Sequence, residues 1–510
     1  MATGNSWQSQ ALFAGIIVTR IIYNVFTHPL RRFPGPLLSR CTRAYYSYYR
    51  ATGQLELKTK ELHDKYGSTV RIAPDECKQC PQYPVRLAYL RLPVSFNGGT
   101  AWEDIYGHKS KKRHEIRLQK EPFFYLGAVA PNGEKNLGAC SDRDHARIRG
   151  VLSSAFSERA LFDQESMLVG HVNHLVQRLR DLQGRPTDAV RWLHHCTYDM
   201  ITDLSLGTSA NALDCDDWSP QAHLMFEGIK EGIAVIEMLR FMPFKHYMMG
   251  LLMAAFGGSR RVAFVSAGEK AQMRMATDNY ERPDFMSYIL RANESSRELT
   301  PAEIKANVAL LLDVGSETTA SALSACLFYL CKNPTILNKV VALIRGEFKT
   351  EADMDSKKLS RLPYLTAVLQ ESLRMYPPVA GSTPRVTPPQ GCTIDRQFVP
   401  GNQIVGINQY AICRNERNFA HADKFIPERF LEGDPLFAAD SQQTFQPFSC
   451  GPQSCLGLQP RMGEMRLLLG HLLWNFDVKL HPRSEKWNIQ KTWFIWDKPA
   501  LMIHFHERTF

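Results

Sequence analysis

The run from Thr300 to Asn333 constrains this chain more than any other stretch. Thr300-Pro301-Ala302-Glu303 supplies an N-cap threonine, a proline at the first helical position and a glutamate that completes a capping box. After that start no breaker other than Gly315 intervenes before Asn333-Pro334. About 30 residues at 1.5 Å each make a rod of roughly 45 Å, enough to cross a whole domain. Its middle, Asp313-Val314-Gly315-Ser316-Glu317-Thr318-Thr319, is poor helix material. Glycine and paired threonines each oppose an interior helix position by roughly 0.5–1 kcal/mol. Local rules broken in mid-helix point to function. Gly315 removes a side chain where a ligand could lie, and a threonine hydroxyl bonding back to the i−4 carbonyl opens the helix locally. A bent core helix with polar residues on a wet face is the other reading of the same residues.

A second stretch, Phe448-Ser449-Cys450-Gly451-Pro452-Gln453-Ser454-Cys455-Leu456-Gly457, precedes an amphipathic helical pattern around Glu464–Leu469. Glycines at 451 and 457 let the backbone turn sharply and approach a flat ligand, and peptide N–H groups near a helix start stabilise a negative sulfur. Such a loop offers one thiolate to a metal, although a buried structural cysteine fits the residues too. Elsewhere, Asp144-His145-Ala146-Arg147-Ile148-Arg149 reads as a helix whose i, i+4 pair His145 and Arg149 share a face, as suits a carboxylate pair or a surface ion-pair helix. Glu371 and Arg374 form an i, i+3 acid–guanidinium pair on a helix ended by Tyr376-Pro377-Pro378. Val399-Pro400-Gly401-Asn402, between alternating segments, signals a hairpin with proline at i+1 and glycine at i+2.

Composition narrows the class. The chain has 510 residues, 44% hydrophobic and 22% charged, which describes a globular enzyme rather than a disordered chain. Its 12 cysteines lack regular spacing and argue for reduced thiols facing the cytosol rather than a disulfide scaffold. Cys77-Lys78-Gln79-Cys80 is the only C-x-x-C and cannot complete a four-ligand zinc site alone, and no third cysteine near Cys450 and Cys455 completes an iron–sulfur set. A net charge of +10 suits an acidic partner, a membrane surface or an ordinary basic surface. No nucleic-acid partner is expected.

At the amino terminus, Ala11–Phe26 is apolar except for Thr19, Arg20 and Asn24, and His28, Arg31 and Arg32 follow. This reads as a short membrane anchor (residues 1–28) that needs tilt, local thinning or snorkelling by Arg20 to span. Positive residues on its carboxyl side put the remaining chain in the cytoplasm. A cleaved signal peptide is disfavoured because no cationic region precedes the run and no small-residue cleavage site follows; a buried helix is the third reading. Phe33-Pro34-Gly35-Pro36 then makes a stiff hinge (residues 29–36). Beyond it, Leu55–Tyr66 is helical until Gly67, Thr69–Ile72 alternates as a strand, Lys109–Lys120 is a charge run expected to be a solvated loop, and helical patterns run through Leu168–Leu182 and Ala189–Leu206. Met238–Met253 holds five methionines, which suit a malleable lid, a membrane-facing loop or plain core packing.

Taken in order, these motifs resemble the cytochrome P450 monooxygenases. The helix centre resembles the oxygen-activation groove [AG]-G-x-[DE]-T-[TS], with Val314 at the usual small residue; Glu371-x-x-Arg374 and Pro427-Glu428-Arg429-Phe430 resemble E-x-x-R and P-E-R-F; the last loop resembles F-x-x-G-x-R-x-C-x-G at Phe448, Gly451, Cys455 and Gly457, departing only at Gln453. The resemblance covers nearly the whole chain from Pro34 and implies a mainly α fold with a small β-rich lobe, as one haem-thiolate domain over residues 37–510. It implies haem b (iron protoporphyrin IX) with Cys455 as axial thiolate and metal ligand, and with His145, Arg149 and Arg385 binding the propionates. Glu317 would relay protons and Thr318 assist O–O cleavage. Glu371, Arg374 and Arg429 would form a buried ion cluster behind the loop.

The activity implied is insertion of one atom of O2 into an apolar small molecule, by hydroxylation or epoxidation, at the endoplasmic reticulum membrane. Electrons would come from an NADPH-cytochrome P450 reductase, because no nucleotide-binding glycine fingerprint follows a strand here. Phrases such as Arg20-Ile21-Ile22-Tyr23-Asn24 and His28-Pro29-Leu30-Arg31 resemble fungal secondary-metabolism members, which implies a terpenoid or polyketide substrate. Two alternatives are a member that isomerises or dehydrates without external electrons, against which the Glu317-Thr318 pair speaks, and a non-catalytic chain that never loads haem. Relatives also run from V-R-I-A-P-x-E almost directly into S-F, whereas here Cys77–Val94 intervenes with three prolines and no sustained period. The inserted length is a whole number of codons and Cys77-Lys78 can be written TGT-AAG, a GTAAG splice donor, so a retained intron is expected, with a genuine functional loop as the competitor; the mature transcript decides.

Overall fold

In the computed structural model the chain is described over residues 4–74, 93–108, 117–219, 239, 244, 247–248, 250–252, 258–277, 281–296 and 299–509. The central helix runs from Pro301 to Lys332. Its start is the expected one: the Thr300 hydroxyl accepts from the Glu303 amide at 3.2 Å and the Glu303 carboxylate accepts from the Thr300 amide at 2.9 Å. Its middle and carboxyl-terminal parts bury most of their faces, so tertiary packing offsets the weak local propensity. Helix Ala189–Leu206 lies along it, with helices Glu158–Asp181, Pro363–Met375 and Leu458–Asn475 completing one contiguous core. Caps follow the sequence: Asp188 accepts from the Val190 amide at the start of Ala189–Leu206, and Gly207 ends it in the left-handed region.

The β-rich lobe is a five-stranded sheet in the order Thr69–Arg71, Pro93–Phe96, Ile404–Ile407, Arg385–Val386, Gln119–Lys120. Thr69–Arg71 and Pro93–Phe96 are antiparallel, with Arg71 opposite Val94; Pro93–Phe96 and Ile404–Ile407 are parallel. Residues 77–92 of the expected insertion lie outside the described residues. Its last two members, Pro93 and Val94, begin strand Pro93–Phe96, where Val94 is buried.

Two local expectations are corrected. The hairpin does not form at Pro400-Gly401: Gln397–Val399 pairs back with Cys392–Ile394 through the positive-φ residues Asp395 and Arg396, while Ile404–Ile407 joins the larger sheet. Gly401 instead permits close approach, since a Cβ there would stand 1.9 Å from the Pro389 carbonyl oxygen. Lys120 does not end a solvated loop; it pairs in the sheet opposite Arg385, and its ammonium donates to the Leu137, Gly138 and Cys140 carbonyls. Residues 109–116 of that charge run, and most of Met238–Met253, lie outside the described residues.

The amino-terminal helix spans Gly4–Ile22 and widens into a π-turn over Tyr23–Thr27. Gln10–Thr27 is long and apolar enough to cross a membrane, with Leu12, Ile16, Val18, Ile22 and Phe26 exposed. The proline-rich segment behind it is packed against the sheet: the Arg71 amide donates to the Pro34 carbonyl at 2.7 Å, and a Cβ on Gly35 would stand 2.3 Å from the Arg71 carbonyl oxygen.

Candidate active site

The cysteine loop earns its glycine locally. Ser449 and Gly451 both have positive φ, and a Cβ on Gly451 would stand 2.2 Å from the Tyr106 carbonyl oxygen, so the loop lies directly on helix Ala101–Tyr106. The Cys455 amide donates to the Phe448 carbonyl at 2.8 Å, closing the loop, and Gly457 caps helix Leu458–Asn475. The Cys455 thiol is solvent-accessible, yet enough protein surrounds it that burial pushes its pKa up, against the Gly457 N–H, Arg461 and Arg149, which pull it down. In the protein alone the thiol form is favoured; a metal ion reverses that balance, because coordination deprotonates the sulfur.

Arg461 ties this loop to the central helix. Its guanidinium lies 3.0 Å from where a Cβ would stand on Gly315, and its Cγ 3.2 Å from the same point on Gly457. The sequence suggested that Gly315 leaves room for a ligand, but a Cβ there would also meet Ile201 at 2.7 Å, so the glycine instead serves close packing against helix Ala189–Leu206. The open flank belongs to its neighbours. Val314 is 48% exposed at the centre of the central helix, and Thr318, one turn on, is half-buried and donates its hydroxyl to the Val314 carbonyl at 2.9 Å. Glu317 faces elsewhere: it is buried, accepts from the Ser321 hydroxyl at 2.8 Å and pairs with Lys498.

Beside the loop the chain gathers cations. His145, on helix Asp142–Leu152, is buried and its pKa falls to about 4 through burial and the charges of Lys120, Arg149 and Arg385. Lys120 falls to about 8, chiefly by burial. Arg385 is buried between the Tyr106 and Tyr125 rings, and its Nε has no acceptor among the described residues. Arg149 is partly committed: it donates to the Ser454 carbonyl at 2.6 Å and so braces the residue before Cys455. Gln453 donates to Asp142 at 2.6 Å, leaving its own Oε1 buried without a donor among the described residues. Mutually repelling basic side chains beside a neutral buried imidazole, with a guanidinium nitrogen that has no acceptor among the described residues, fit a dianionic ligand such as the propionates of haem. Sequence reasoning missed Lys120, since only the non-local pairing of Gln119–Lys120 with Arg385–Val386 brings it here. A cavity of about 250 Å³ lined by Lys120, Tyr125, Cys140 and Asp142 opens beside these cations, whereas one of about 40 Å³ around Arg50, Glu56 and Ser382 lies away from the thiol.

A second ionic cluster forms where the sequence places it. Arg374 donates to both Glu371 oxygens at 2.7 and 2.8 Å and to the Cys413, Ala422 and Lys424 carbonyls. Arg429 donates to Glu371 at 3.2 Å and pairs with Asp440, a member the motif did not include.

Comparison with known proteins agrees with this layout. The family model described as Cytochrome P450 matches residues 104–505. The chain is 60% identical over 497 residues to the fusicoccadiene 8-ol C-16-hydroxylase of Phomopsis amygdali, covering 97% of this chain and 91% of that protein. It is 48% identical over 494 residues to the fusicoccadiene 8-ol C-16 hydroxylase of Alternaria brassicicola, covering 97% and 96%, and 42% identical over 494 residues to the cytochrome P450 monooxygenase aclL of Aspergillus oryzae, covering 96% and 95%.

Proposed function

The chain belongs to the cytochrome P450 family, and from that premise we propose that it hydroxylates a fusicoccadiene-type terpenoid alcohol, with C-16 of fusicoccadiene 8-ol as the position attacked. The balanced reaction is RH + O2 + NADPH + H⁺ → ROH + H2O + NADP⁺, the electrons passing through an NADPH-dependent reductase. One observation carries the chemistry: an accessible thiol on a glycine-turned loop stands beside a buried cation cluster with unmet hydrogen-bonding capacity. Haem, when bound, supplies the reduction of O2 and the transfer of its oxygen atom.

Each residue has a task in that reading. Cys455 holds the iron, with Phe448, Gly451 and Gly457 shaping its loop. His145, Arg385 and Lys120 neutralise the propionates, and Arg149 fixes the loop through Ser454. Thr318 presents its hydroxyl on the open flank, and Glu317 supplies protons from the buried side of the same helix. Val314, where the family pattern has alanine or glycine, narrows the space above the thiol side and helps select which carbon is presented. The amino-terminal helix anchors the enzyme to the endoplasmic reticulum with its catalytic part in the cytoplasm.

The test is a reduced CO-difference spectrum of the purified chain, followed by incubation with reductase, NADPH and fusicoccadiene 8-ol. The expected result is a thiolate-type spectrum, absent in Cys455→Ala, and a product one oxygen heavier. A spectrum that survives in Cys455→Ala overturns the ligand assignment; a normal spectrum without that product overturns the substrate.

A further inference from the structure

The first two turns of the central helix carry a buried asparagine that no motif explains. Asn307 is 1% exposed, and asparagine is a weak helix former because its amide competes with the backbone for hydrogen bonds. Here both ends of that amide are used. Its Nδ2 donates to the Glu303 carbonyl at 2.8 Å, within the helix, and its Oδ1 accepts from the Leu137 amide at 2.8 Å, in the segment that precedes helix Asp142–Leu152. One turn back, the Glu303 carboxylate accepts from both terminal nitrogens of Arg147, on the helix that carries His145 and Arg149.

The hydrogen bonds of Leu137–Cys140 show what is being held. The Gly138 and Ala139 amides donate to Asn136 Oδ1 at 3.1 and 3.2 Å, and the Cys140 amide donates to the Asn136 carbonyl at 3.0 Å. Of the four amides, only that of Leu137 reaches another element, and it reaches Asn307. The Leu137, Gly138 and Cys140 carbonyls converge on Lys120 Nζ at 3.2, 2.7 and 3.3 Å. An ammonium has three N–H donors, so this cradle occupies all of them. Lys120 has no donor left for a ligand anion and acts on one through space, as a charge. Coulombic attraction depends on where a charge sits; the three carbonyls decide that for Lys120, and Asn307 holds the carbonyls.

We propose that Asn307 is a positioning residue for haem retention: it tethers the Leu137–Cys140 cradle to the central helix and so fixes the Lys120 charge beside Arg385 and His145. This rests on the reading of that cluster as the propionate site. The neighbourhood is visible in the protein alone, since Lys120 stands opposite Arg385 in the sheet and both are among the charges that depress the His145 pKa.

The experiment follows haem transfer from full-length, haem-loaded chains to an acceptor protein, in wild type, Asn307→Leu, Lys120→Met and the double variant Asn307→Leu/Lys120→Met, each first shown to give the thiolate-type CO spectrum. Lys120→Met should speed haem loss by roughly tenfold, the effect of removing one nearby charge. Asn307→Leu, close in volume and unable to accept from Leu137, should speed it by roughly threefold to tenfold. The double variant should be no faster than Lys120→Met, because a residue that works through Lys120 then has nothing left to position; a general loosening of the fold would multiply the two effects instead. Asn307→Ala takes the place of the leucine variant in the same cycle if that variant loads no haem. Hydrogen exchange supplies a readout independent of transfer and turnover: the Leu137 amide should exchange faster in Asn307→Leu than in wild type. Unchanged haem loss in Asn307→Leu beside faster loss in Lys120→Met, effects that multiply, or an unchanged Leu137 amide overturns the tether alone. Wild-type haem retention in Lys120→Met overturns the place of Lys120 in the propionate site and the tether with it.

Discussion

Two buried ionic clusters differ in one respect. Around Glu371 every charge is answered: Arg374 and Arg429 face Glu371 and Asp440, and their remaining donors end on backbone carbonyls. Around His145 the charges are nearly all of one sign, the Arg385 Nε and Gln453 Oε1 are unmatched, and His145 and Lys120 have their proton affinity pushed down. A cluster that is complete by itself holds the fold; one that the protein leaves incomplete is shaped for a ligand. The two are distinguishable by what happens when one member is removed.

The largest effect belongs to the complete cluster. Arg374→Ala removes the bidentate partner of the buried Glu371 carboxylate and leaves it only Arg429, shared with Asp440, and the Ile426 amide; breaking the buried pair costs about 3–5 kcal/mol, so urea unfolding should show a chain at the edge of folding, with no haem retained. The incomplete cluster should behave oppositely. Arg385→Ala relieves repulsion while losing contact with two tyrosine rings, so apoprotein stability should change by no more than ~1 kcal/mol. Haem transfer to an acceptor protein should nevertheless accelerate by roughly tenfold to a hundredfold, the equivalent of a charge-assisted bond. Equal losses of stability in the two variants would erase the distinction.

A pH series sharpens it. His145 holds its proton less tightly folded than unfolded, so in the apoprotein its contribution to stability is complete above about pH 6.5 and is lost progressively as pH falls toward about 4. His145→Gln should flatten that acid limb, and so should haem loading, because propionates favour the imidazolium; a limb unchanged by both would show that His145 does not face the ligand's acids. Smallest is Gln453→Arg. Exchanging a neutral for a charge-assisted bond is worth ~1 kcal/mol, and Asp142 competes for the new guanidinium. Haem loss should slow by about fivefold or less, read by the same transfer assay.

Much of the site was legible because its motifs are local. The capping box, the Gly451 turn, the i, i+3 pair Glu371–Arg374 and the His145–Arg149 face are each set within a few residues, and each appears where the sequence puts it. What the sequence misassigned depends on distant partners. Gly315 was read as an opening toward a ligand because a missing side chain looks alike from either side; Ile201 and Arg461 show which side it faces. Lys120 was read as solvated because its strand partner lies over 260 positions away, and the Pro400-Gly401 turn was read as a hairpin although Ile404–Ile407 finds its partners elsewhere.

The sequence by itself determined the class of this protein: helix periodicity, caps and four ordered motifs are short-range signals that fix elements and single out the cysteine loop. Only the tertiary structure decided the direction of each polar group. Glu317 and Thr318 are adjacent in sequence, yet one is turned to Lys498 in the core and the other to the open flank, because a helix rotates successive side chains by about 100° and only the packing around it says which arc is filled.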